Sequence, residues 1–272
     1  MSTEVLFVSH ASDQGTEAVI ASVSRSLGAE TVAVLRPELL SRCVWRHEVE
    51  PHGQTKTSIR PPGGSGLDDG TLRVVVNHAY HFPVPPAAKA SLKDRDYAIA
   101  EFDGLVASWL LSLGRRLINP TGPHGRPGPA NDLEWLLIAK AHGLPVARNI
   151  RSTAGSSLPR PVSGESLVQR GPWPGGASGP MPASLGPELE GCETVFVAGE
   201  RSTGRLAARF GQQCAEAVTA TGLRAAAWRF VESEGGYRVA AIDPMPSIGT
   251  AEEVDAFAAL VVQVARAGEA ER

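Results

Sequence analysis

The sequence predicts an α/β domain at the N-terminus followed by an α+β domain. Residues 4–9 (EVLFVS) and 31–35 (TVAVL) are apolar, β-branched runs, and residues 15–27 between them carry apolar side chains at helical spacing. This order is typical of a parallel βαβ unit. Residues 194–243 instead hold three strand-like runs around one helix, which indicates a layer of strands covered by helices on one side.

The other elements of the first domain follow in order. Residues 51–71 are rich in Gly, Pro and Ser and predict a loop or hairpin excursion, after which residues 72–77 (LRVVVN) predict a buried strand. Residues 94–113 have apolar side chains at helical spacing and predict a long helix, and residues 116–119 (RLIN) predict a short strand. We therefore expect a doubly wound α/β domain over residues 1–120.

The second domain is expected over residues 121–272. Residues 151–191 are dominated by Ser, Gly and Pro around a single predicted strand, so we expect a shortened central part at about 145–200. The predicted elements are a helix at 132–142, strands at 166–170 and 194–198, a helix at 206–220, a hairpin of strands at 225–231 and 237–243, and a helix at 251–267.

Composition excludes several functional classes. The 26 basic and 29 acidic residues leave no excess positive charge for nucleic acid, and only four of the basic residues are Lys: Lys56, Lys89, Lys93 and Lys140. No Gly-Lys pair exists for a Walker A loop, and no Gly-x-Ser-x-Gly segment exists for a serine hydrolase. The apolar runs are shorter than the ~20 residues of a membrane span, so we expect a cytoplasmic protein without membrane contact.

Cysteine and histidine spacing gives no metal or disulfide framework. Cys43, Cys192 and Cys214 are far apart and form no C-x-x-C pair, so we expect reduced thiols. His78 and His81 follow a predicted strand, where His can bind a metal, but no third ligand accompanies them. We expect them to be ordinary loop side chains.

Six segments over residues 116–266, taken in order, resemble motifs of the ATP-grasp family. They are residues 117–120 (LINP), 143–146 (GLPV), the strand and glycine-rich loop at 166–179, residues 194–200 (TVFVAGE), residues 221–223 (TGL) and residues 237–246 (YRVAAIDPMP). The resemblance implies an ATP-grasp-like domain that binds ATP. In this family a carboxylate is activated as an acyl phosphate and an amine attacks it, with lysines and two Mg²⁺ ions neutralising the phosphates.

The N-terminal residues resemble a particular branch of that family. Residues 74–82 (VVVNHAYHF) and 92–101 (LKDRDYAIAE) are similar to the pre-ATP-grasp domain of ligases that modify peptides. These include glutamyl ligases of the ribosomal-protein type and macrocyclising peptide ligases. The resemblance therefore implies a peptide or amino-acid carboxylate as substrate, or a partner enzyme, and homodimers are common among such folds.

The resemblance assigns nucleotide contacts to the strand and glycine-rich loop at 166–179. It assigns a further contact to Glu200, which follows the predicted strand at 194–198. At the loop's lysine position stand Gln169 and Arg170, and Asp132 replaces the lysine that opens the helix at 132–142. Arg170 could contact phosphate with two nitrogens, and glycine N–H groups could bind an anion, although such a loop is also a common turn. The implied nucleotide-binding residues are Gln169, Arg170, Gly175, Gly176, Gly179 and Glu200.

The metal-ligand positions depart most from the family pattern. The family's Asp falls on Arg229, its Glu on Ala241 and its Asn on Asp243. Asp243 is thus the implied metal ligand, and Arg229 places a cation beside it. Two unit charges 4 Å apart interact by about 4 kcal/mol at an effective dielectric constant near 20, so a guanidinium opposes a divalent ion strongly. Equally, Arg229 suits a solvent-facing strand position and Asp243 a turn before proline.

Two main hypotheses follow. In the first, the chain is a degenerate ATP-grasp protein that binds a peptide, a nucleotide or a partner enzyme and lacks magnesium-dependent acyl phosphorylation. In the alternative it is an active ATP-dependent carboxylate–amine ligase, alone or as one subunit, whose metal ligands have moved. Candidate relocated acids are Glu193, Glu200, Glu232 and Glu234, and Arg148, Arg170 and Arg201 would replace the lysines. A third possibility is an unrelated α/β binding protein that shares only a common α+β layer.

Overall fold

The structure is a computed structural model. It describes residues 3–79, 82–120, 127–129, 132–152, 165–169, 183–187 and 189–270, of which 150–152, 165–169, 183–187 and 269–270 are described by backbone alone. Two compact units are present. Unit 1 comprises Met1–Gly128, Thr221–Ala225 and Pro244–Arg272, and unit 2 comprises Pro129–Ala220 and Ala226–Asp243. The domain boundary at residue 120 stays a prediction.

The elements are numbered in chain order. The strands are β1 (Val5–Ser9), β2 (Val32–Leu35), β3 (Val44–Val49), β4 (Thr55–Arg60), β5 (Leu67–Asp68), β6 (Val74–His78), β7 (Leu117–Ile118), β8 (Ile150–Ser152), β9 (Glu165–Gln169), β10 (Ala183–Pro187), β11 (Glu193–Ala198), β12 (Arg201–Thr203), β13 (Ala225–Ser233) and β14 (Gly236–Asp243). The α-helices are α1 (Gln14–Leu27), α2 (Pro37–Leu40), α3 (Leu92–Ser112), α4 (Asp132–Ala141), α5 (Ala207–Ala220) and α6 (Ala251–Ala270). None of these helices has the length and apolar character needed to cross a bilayer.

Unit 1 is built on a parallel sheet with the strand order β2-β1-β6-β7. Strand β1 pairs in parallel with β2 and with β6, which confirms the predicted βαβ opening. All five residues of β1 are buried, so both faces of this strand are covered, as its continuous apolar run requires. Helix α1 between β1 and β2 buries Val19 and Val23, four residues apart, on one face.

A small antiparallel sheet of β3, β4 and β5 follows, where the sequence predicted a loop or hairpin. The Trp45 ring on β3 packs edge-on against Phe102 and Trp109 of α3, at centroid distances of 6.1 and 5.5 Å. The alternate residues Arg46 and Glu48 are exposed and bonded to each other. Strand β3 was not predicted because His47 takes an inward position and Val44 an outward one, which breaks the alternation of apolar and polar residues.

The last helix, α6, belongs to unit 1 although the chain has by then passed through unit 2. It packs along α1 and against β6, and the Phe257 ring lies 5.5 Å from the ring of His78. The segment leading into α6 passes so close to α1 that a Cβ atom at Gly15 would lie 1.8 Å from the carbonyl oxygen of Ile248. Only glycine fits at that position without moving the backbone.

Unit 2 contains a second sheet with the order β12-β11-β13-β14, in which β13 and β14 form an antiparallel hairpin. Helices α4 and α5 contact each other and lie on one face of this sheet. Trp135 of α4 meets Trp228 edge-on at 6.1 Å, and Phe210 of α5 stacks on Phe230 at 4.9 Å. The arrangement confirms the predicted α+β class, with strands covered by helices on one side.

The central part of unit 2 holds a three-stranded antiparallel sheet with the order β8-β10-β9. The sequence predicted a single strand here, and that strand is β9. Strands β8 and β10 were missed because one spans three residues and the other reads ASLGP, where Gly and Pro are both depleted in strands.

Asn119, directly after β7, joins three separate chain segments of unit 1. Its Nδ2 group donates to the carbonyl oxygens of Ala225 at 2.8 Å and Pro244 at 2.5 Å, and its Oδ1 atom accepts from the backbone N–H groups of Arg224 and Ala225, each at 2.9 Å. Asn119 is 7% exposed and has a φ of 59°, in the left-handed region that Asn tolerates better than most residues. It therefore fixes both ends of the β13–β14 hairpin.

Replacing Asn119 by Ala should lower the free energy of unfolding by about 3–4 kcal/mol, because buried backbone groups lose their partners and Ala is strained at positive φ. Asn119→Gly is the matched control, since Gly accepts this φ and lacks only the hydrogen bonds. We expect it to be destabilised by about 1 kcal/mol less than Asn119→Ala. Urea unfolding measures both, and two variants within about 0.5 kcal/mol of wild type would contradict the assignment.

Candidate functional site

The structure brings the three implied metal-ligand positions together on the β13–β14 hairpin. Arg229 lies directly opposite Ala241, and Ala227 lies directly opposite Asp243. Opposed residues of an antiparallel pair project to the same face, so Arg229, Ala241 and Asp243 share one face. Trp228 and Phe230 alternate with Arg229 and contact the helices, so this face is the one directed away from α4 and α5.

A β-bulge sits in the middle of the site. The register changes from Arg229 opposite Ala241 to Phe230 opposite Val239, which leaves Ala240 on β14 as the extra residue. Beyond the bulge, Val239 accepts a hydrogen bond from the N–H of Ala147 at 2.8 Å and donates one to the carbonyl of Pro145 at 2.7 Å. The bulge lies on β14 alone, so the alternation of side chains along β13 is undisturbed.

We call this surface the hairpin face. It carries two guanidinium groups and one carboxylate, with small apolar side chains between them. Arg238 lies opposite Val231 and its Nε donates to Ser233 at 2.9 Å. The residues of the hairpin face are Ala227, Arg229, Val231, Ser233, Arg238, Ala241 and Asp243.

These residues do not fit a pair of magnesium ions. Mg²⁺ requires hard oxygen ligands in near-octahedral geometry, and among the three implied positions only Asp243 supplies a carboxylate. Arg229 and Ala241 supply a cation and a methyl group. Within the described part of the chain, no group of three or more His, Cys, Asp or Glu side chains is arranged to hold a metal ion.

Three of the four acids considered as relocated ligands lie off the hairpin face, and the fourth, Glu234, is in the turn between β13 and β14. Glu193 bonds to Arg205 at 2.8 Å, and that hydrogen bond lowers the pKa of the Glu193 carboxyl. Glu232 lies opposite Tyr237 and shares the alternation of Trp228 and Phe230, so it projects to the face that carries the helices. Glu200 is exposed in the turn between β11 and β12. The structure does not bring these three acids to the hairpin face.

The remaining implied nucleotide contacts belong to the central sheet and the loop after it. Gln169 is the last residue of β9, and its backbone pairs with Ala183 of β10. Arg170, Gly175, Gly176 and Gly179 lie outside the described residues. Their role in binding phosphate stays a prediction.

The structure also shows a polar cluster in unit 1 that was not predicted from the sequence. Asp13 caps the N-terminus of α1, and its carboxylate accepts hydrogen bonds from the N–H of Thr16 at 3.0 Å and its hydroxyl at 2.6 Å. His78 at the end of β6 lies 2.9 Å from the same hydroxyl and 3.4 Å from Asp13, and its side chain is 8% exposed. The Asp-x-x-Thr spacing signals a helix cap, but nothing in sequence order links it to His78. His81 lies outside the described residues.

This cluster predicts an acid-dependent loss of stability. The hydrogen bond to His78, followed by those to Thr16, holds the pKa of Asp13 well below its ordinary value of 3.8. A carboxyl whose pKa is lowered on folding stabilises the native state above its unfolded pKa, and that contribution is lost as pH falls through the folded value. We expect wild type to exceed Asp13→Asn in free energy of unfolding at pH 7. The difference should shrink as pH falls below about 4.

Urea denaturation of both proteins from pH 7 to pH 3 measures this difference. Asp68→Asn is the control for general acid destabilisation, since Asp68 is an exposed acid elsewhere in unit 1. A gap between wild type and Asp13→Asn that stays constant over the whole range would contradict the assignment.

The fold of the chain is that of solved ATP-grasp ligases. No protein-family model matches the sequence, and no curated protein matches it significantly. Solved structures do match, over nearly the whole chain. The macrocyclase MdnC of Microcystis aeruginosa MRC, bound to its precursor peptide MdnA, superposes with a TM-score of 0.72 at 13% identity, covering 96% of this chain and 100% of MdnC.

Two further solved structures are ATP-grasp ligases. A RiPP-associated ligase of Chryseobacterium gregarium, in complex with ADP and a leader and core peptide, gives a TM-score of 0.66 at 11% identity, covering 99% of this chain and 97% of that one. The ligase PsnB, complexed with a minimal precursor, Mg and ADP, gives 0.63 at 17% identity, covering 97% and 99%. The likeness extends beyond a common α+β layer and includes the N-terminal unit. At sequence identities of 11–17%, this structural likeness establishes the fold alone.

Proposed function

We propose that this chain is an ATP-grasp-fold protein of a peptide- or small-molecule-modification pathway that binds a peptide, a nucleotide or a partner enzyme without magnesium-dependent acyl phosphorylation. The observation that carries the proposal is the hairpin face. The resemblance assigns Arg229 and Ala241 to positions at which the resembled ligases place metal-binding acids, and the two residues lie directly opposite each other. A cytoplasmic location belongs to the same proposal.

The loss of magnesium binding follows from charge. A guanidinium keeps its charge at every physiological pH, so Arg229 cannot be neutralised to admit a dication. Two divalent ions bridging the phosphates would face this cation in a partly dehydrated site, where charges interact more strongly than in water. Asp243 alone leaves most of the coordination sphere to water.

A peptide is the ligand best supported by the comparisons. MdnC, the Chryseobacterium ligase and PsnB were all solved with precursor, leader or core peptides. A chain of this fold that has lost the phosphoryl-transfer site can still present a peptide to a partner. We therefore place peptide binding ahead of nucleotide binding in the proposal.

The proposal predicts no ATP turnover. Purified protein with ATP, excess Mg²⁺ and candidate peptide substrates should release ADP at the rate of a protein-free blank. Asp243→Ala should give the same rate, since no phosphoryl transfer depends on that carboxylate. Turnover above the blank that is lost in Asp243→Ala would overturn the proposal and establish the active ligase instead.

A second prediction concerns the missing ligands. The double variant Arg229→Asp with Ala241→Glu restores acids at both positions beside Asp243. We expect Mg²⁺ with ADP to raise its melting temperature above that with ADP alone, because a ligand at about 100 times its Kd adds roughly 2.7 kcal/mol of stability. Wild type should show no such Mg²⁺-dependent increase.

Thermal melts with ADP, Mg²⁺ and both together measure this for wild type and variant. The control is the pair Arg209→Asp with Ala208→Glu on α5, which introduces the same charges on exposed residues away from the hairpin face. A Mg²⁺-dependent rise in wild type would show that the metal site had not been lost.

A further inference from the structure

We propose that the hairpin face binds a polyphosphate anion without a metal ion, with Arg229 supplying the positive charge that divalent cations supply in the resembled ligases. The inference rests on the proposed function, since it concerns the same site after loss of the metal ligands. To the nucleotide binding named there it adds the group that is recognised, the polyphosphate, and a condition of binding, independence from Mg²⁺.

Arg229 has no hydrogen-bond acceptor directly beside it on the hairpin. Within the β13–β14 pair its direct neighbours are Ala241, Ala227 and Val231, none of which can accept a hydrogen bond through its side chain, and the Asp243 carboxylate is a diagonal neighbour. Among the described residues, no hydrogen bond or ion pair engages the Arg229 guanidinium. Within that part of the chain its five N–H donors are therefore left for water or for an anion.

The hairpin face around Arg229 is positively charged. Arg238 lies opposite Val231, and its bond to Ser233 uses Nε and leaves the two terminal nitrogens. Diagonal cross-strand neighbours are about 7–8 Å apart at Cβ, a distance that arginine side chains span. Two guanidiniums against one carboxylate give this face a net positive charge.

Arg201 on β12 adds to the same side of the sheet. The close approach of Ser202 to Gly211 of α5 directs Ser202 to the helices, so its neighbour Arg201 projects to the other face. Arg201 is exposed and lies at the far edge of the sheet from β14. Arg201 therefore extends the positive charge to the opposite edge of the sheet, on the side that carries the hairpin face.

The spread of the arginines favours a polyphosphate over a single carboxylate. A planar guanidinium donates two parallel hydrogen bonds to either group, but successive phosphate groups allow separate arginines to engage one ligand. Mg²⁺ bound to the same phosphates would cancel the charge that the arginines attract. Added Mg²⁺ should therefore weaken binding or leave it unchanged.

The test is isothermal titration calorimetry of the full chain with ATP in buffer containing EDTA, repeated in excess MgCl₂. We expect binding in EDTA and no tighter binding in MgCl₂. Arg229→Ala should weaken ATP binding by about 10- to 100-fold, as expected for loss of hydrogen bonds to a charged partner. Arg229→Lys should retain part of the affinity, because it keeps the charge but loses the paired geometry.

Arg209→Ala is the matched control, since Arg209 is an exposed arginine of α5, whose guanidinium lies over the Phe210 ring. It should bind ATP as wild type does. Inorganic tripolyphosphate distinguishes the source: affinity equal to ATP identifies the phosphate chain as the ligand, and much weaker affinity identifies a nucleoside polyphosphate. Melting curves confirm that each variant is folded.

The proposal is overturned if no polyphosphate binds in EDTA, if binding requires Mg²⁺, or if Arg229→Ala and Arg209→Ala bind alike. These outcomes differ from a failure of the proposed function, which is measured by ATP turnover. A protein that hydrolyses ATP with Mg²⁺ fails both. A protein that neither hydrolyses ATP nor binds it without metal fails only the inference made here.

Discussion

The side-chain amide of Asn119 is the contact on which the candidate site depends. It saturates both its donor and its acceptor with backbone groups at the start of β13 and just after β14. Because both ends of the hairpin are held by one rigid group, the register that sets Ala227 opposite Asp243 is fixed at its base. The pairing of Arg229 with Ala241 then follows two residues further along.

Most of the fold could be predicted because apolar runs of period two or 3.6 are long in this sequence. Strands β1, β6, β13 and β14 and helices α1, α3, α5 and α6 were all predicted close to their observed bounds. The misses have physical reasons: β3 has a histidine at an inward position and a valine at an outward one, β8 spans three residues, and β10 contains Gly and Pro. The return of α6 to α1 is a long-range contact that no local pattern contains.

The site could be predicted only in part. Alternation along β13 and β14 places Arg229, Ala241 and Asp243 on one face, but the bulge at Ala240 breaks that alternation and cannot be seen in the sequence. Had the strands paired without it, Arg238 would project to the other face. The network of Asp13, Thr16 and His78 likewise joins residues that only the parallel pairing of β1 with β6 brings together.

The return of α6 also has a consequence for biosynthesis. Domains commonly fold as they leave the ribosome, the N-terminal one first. Here the helix that packs on α1 and β6 is translated after the rest of unit 1 and the whole of unit 2, so the parallel sheet must wait with one side incomplete. Val74 and Val76 share a face of β6 with His78, whose ring lies beside Phe257 of α6, so these buried residues gain that cover only once α6 has been made. Unit 1 is thus completed only after unit 2 has been translated.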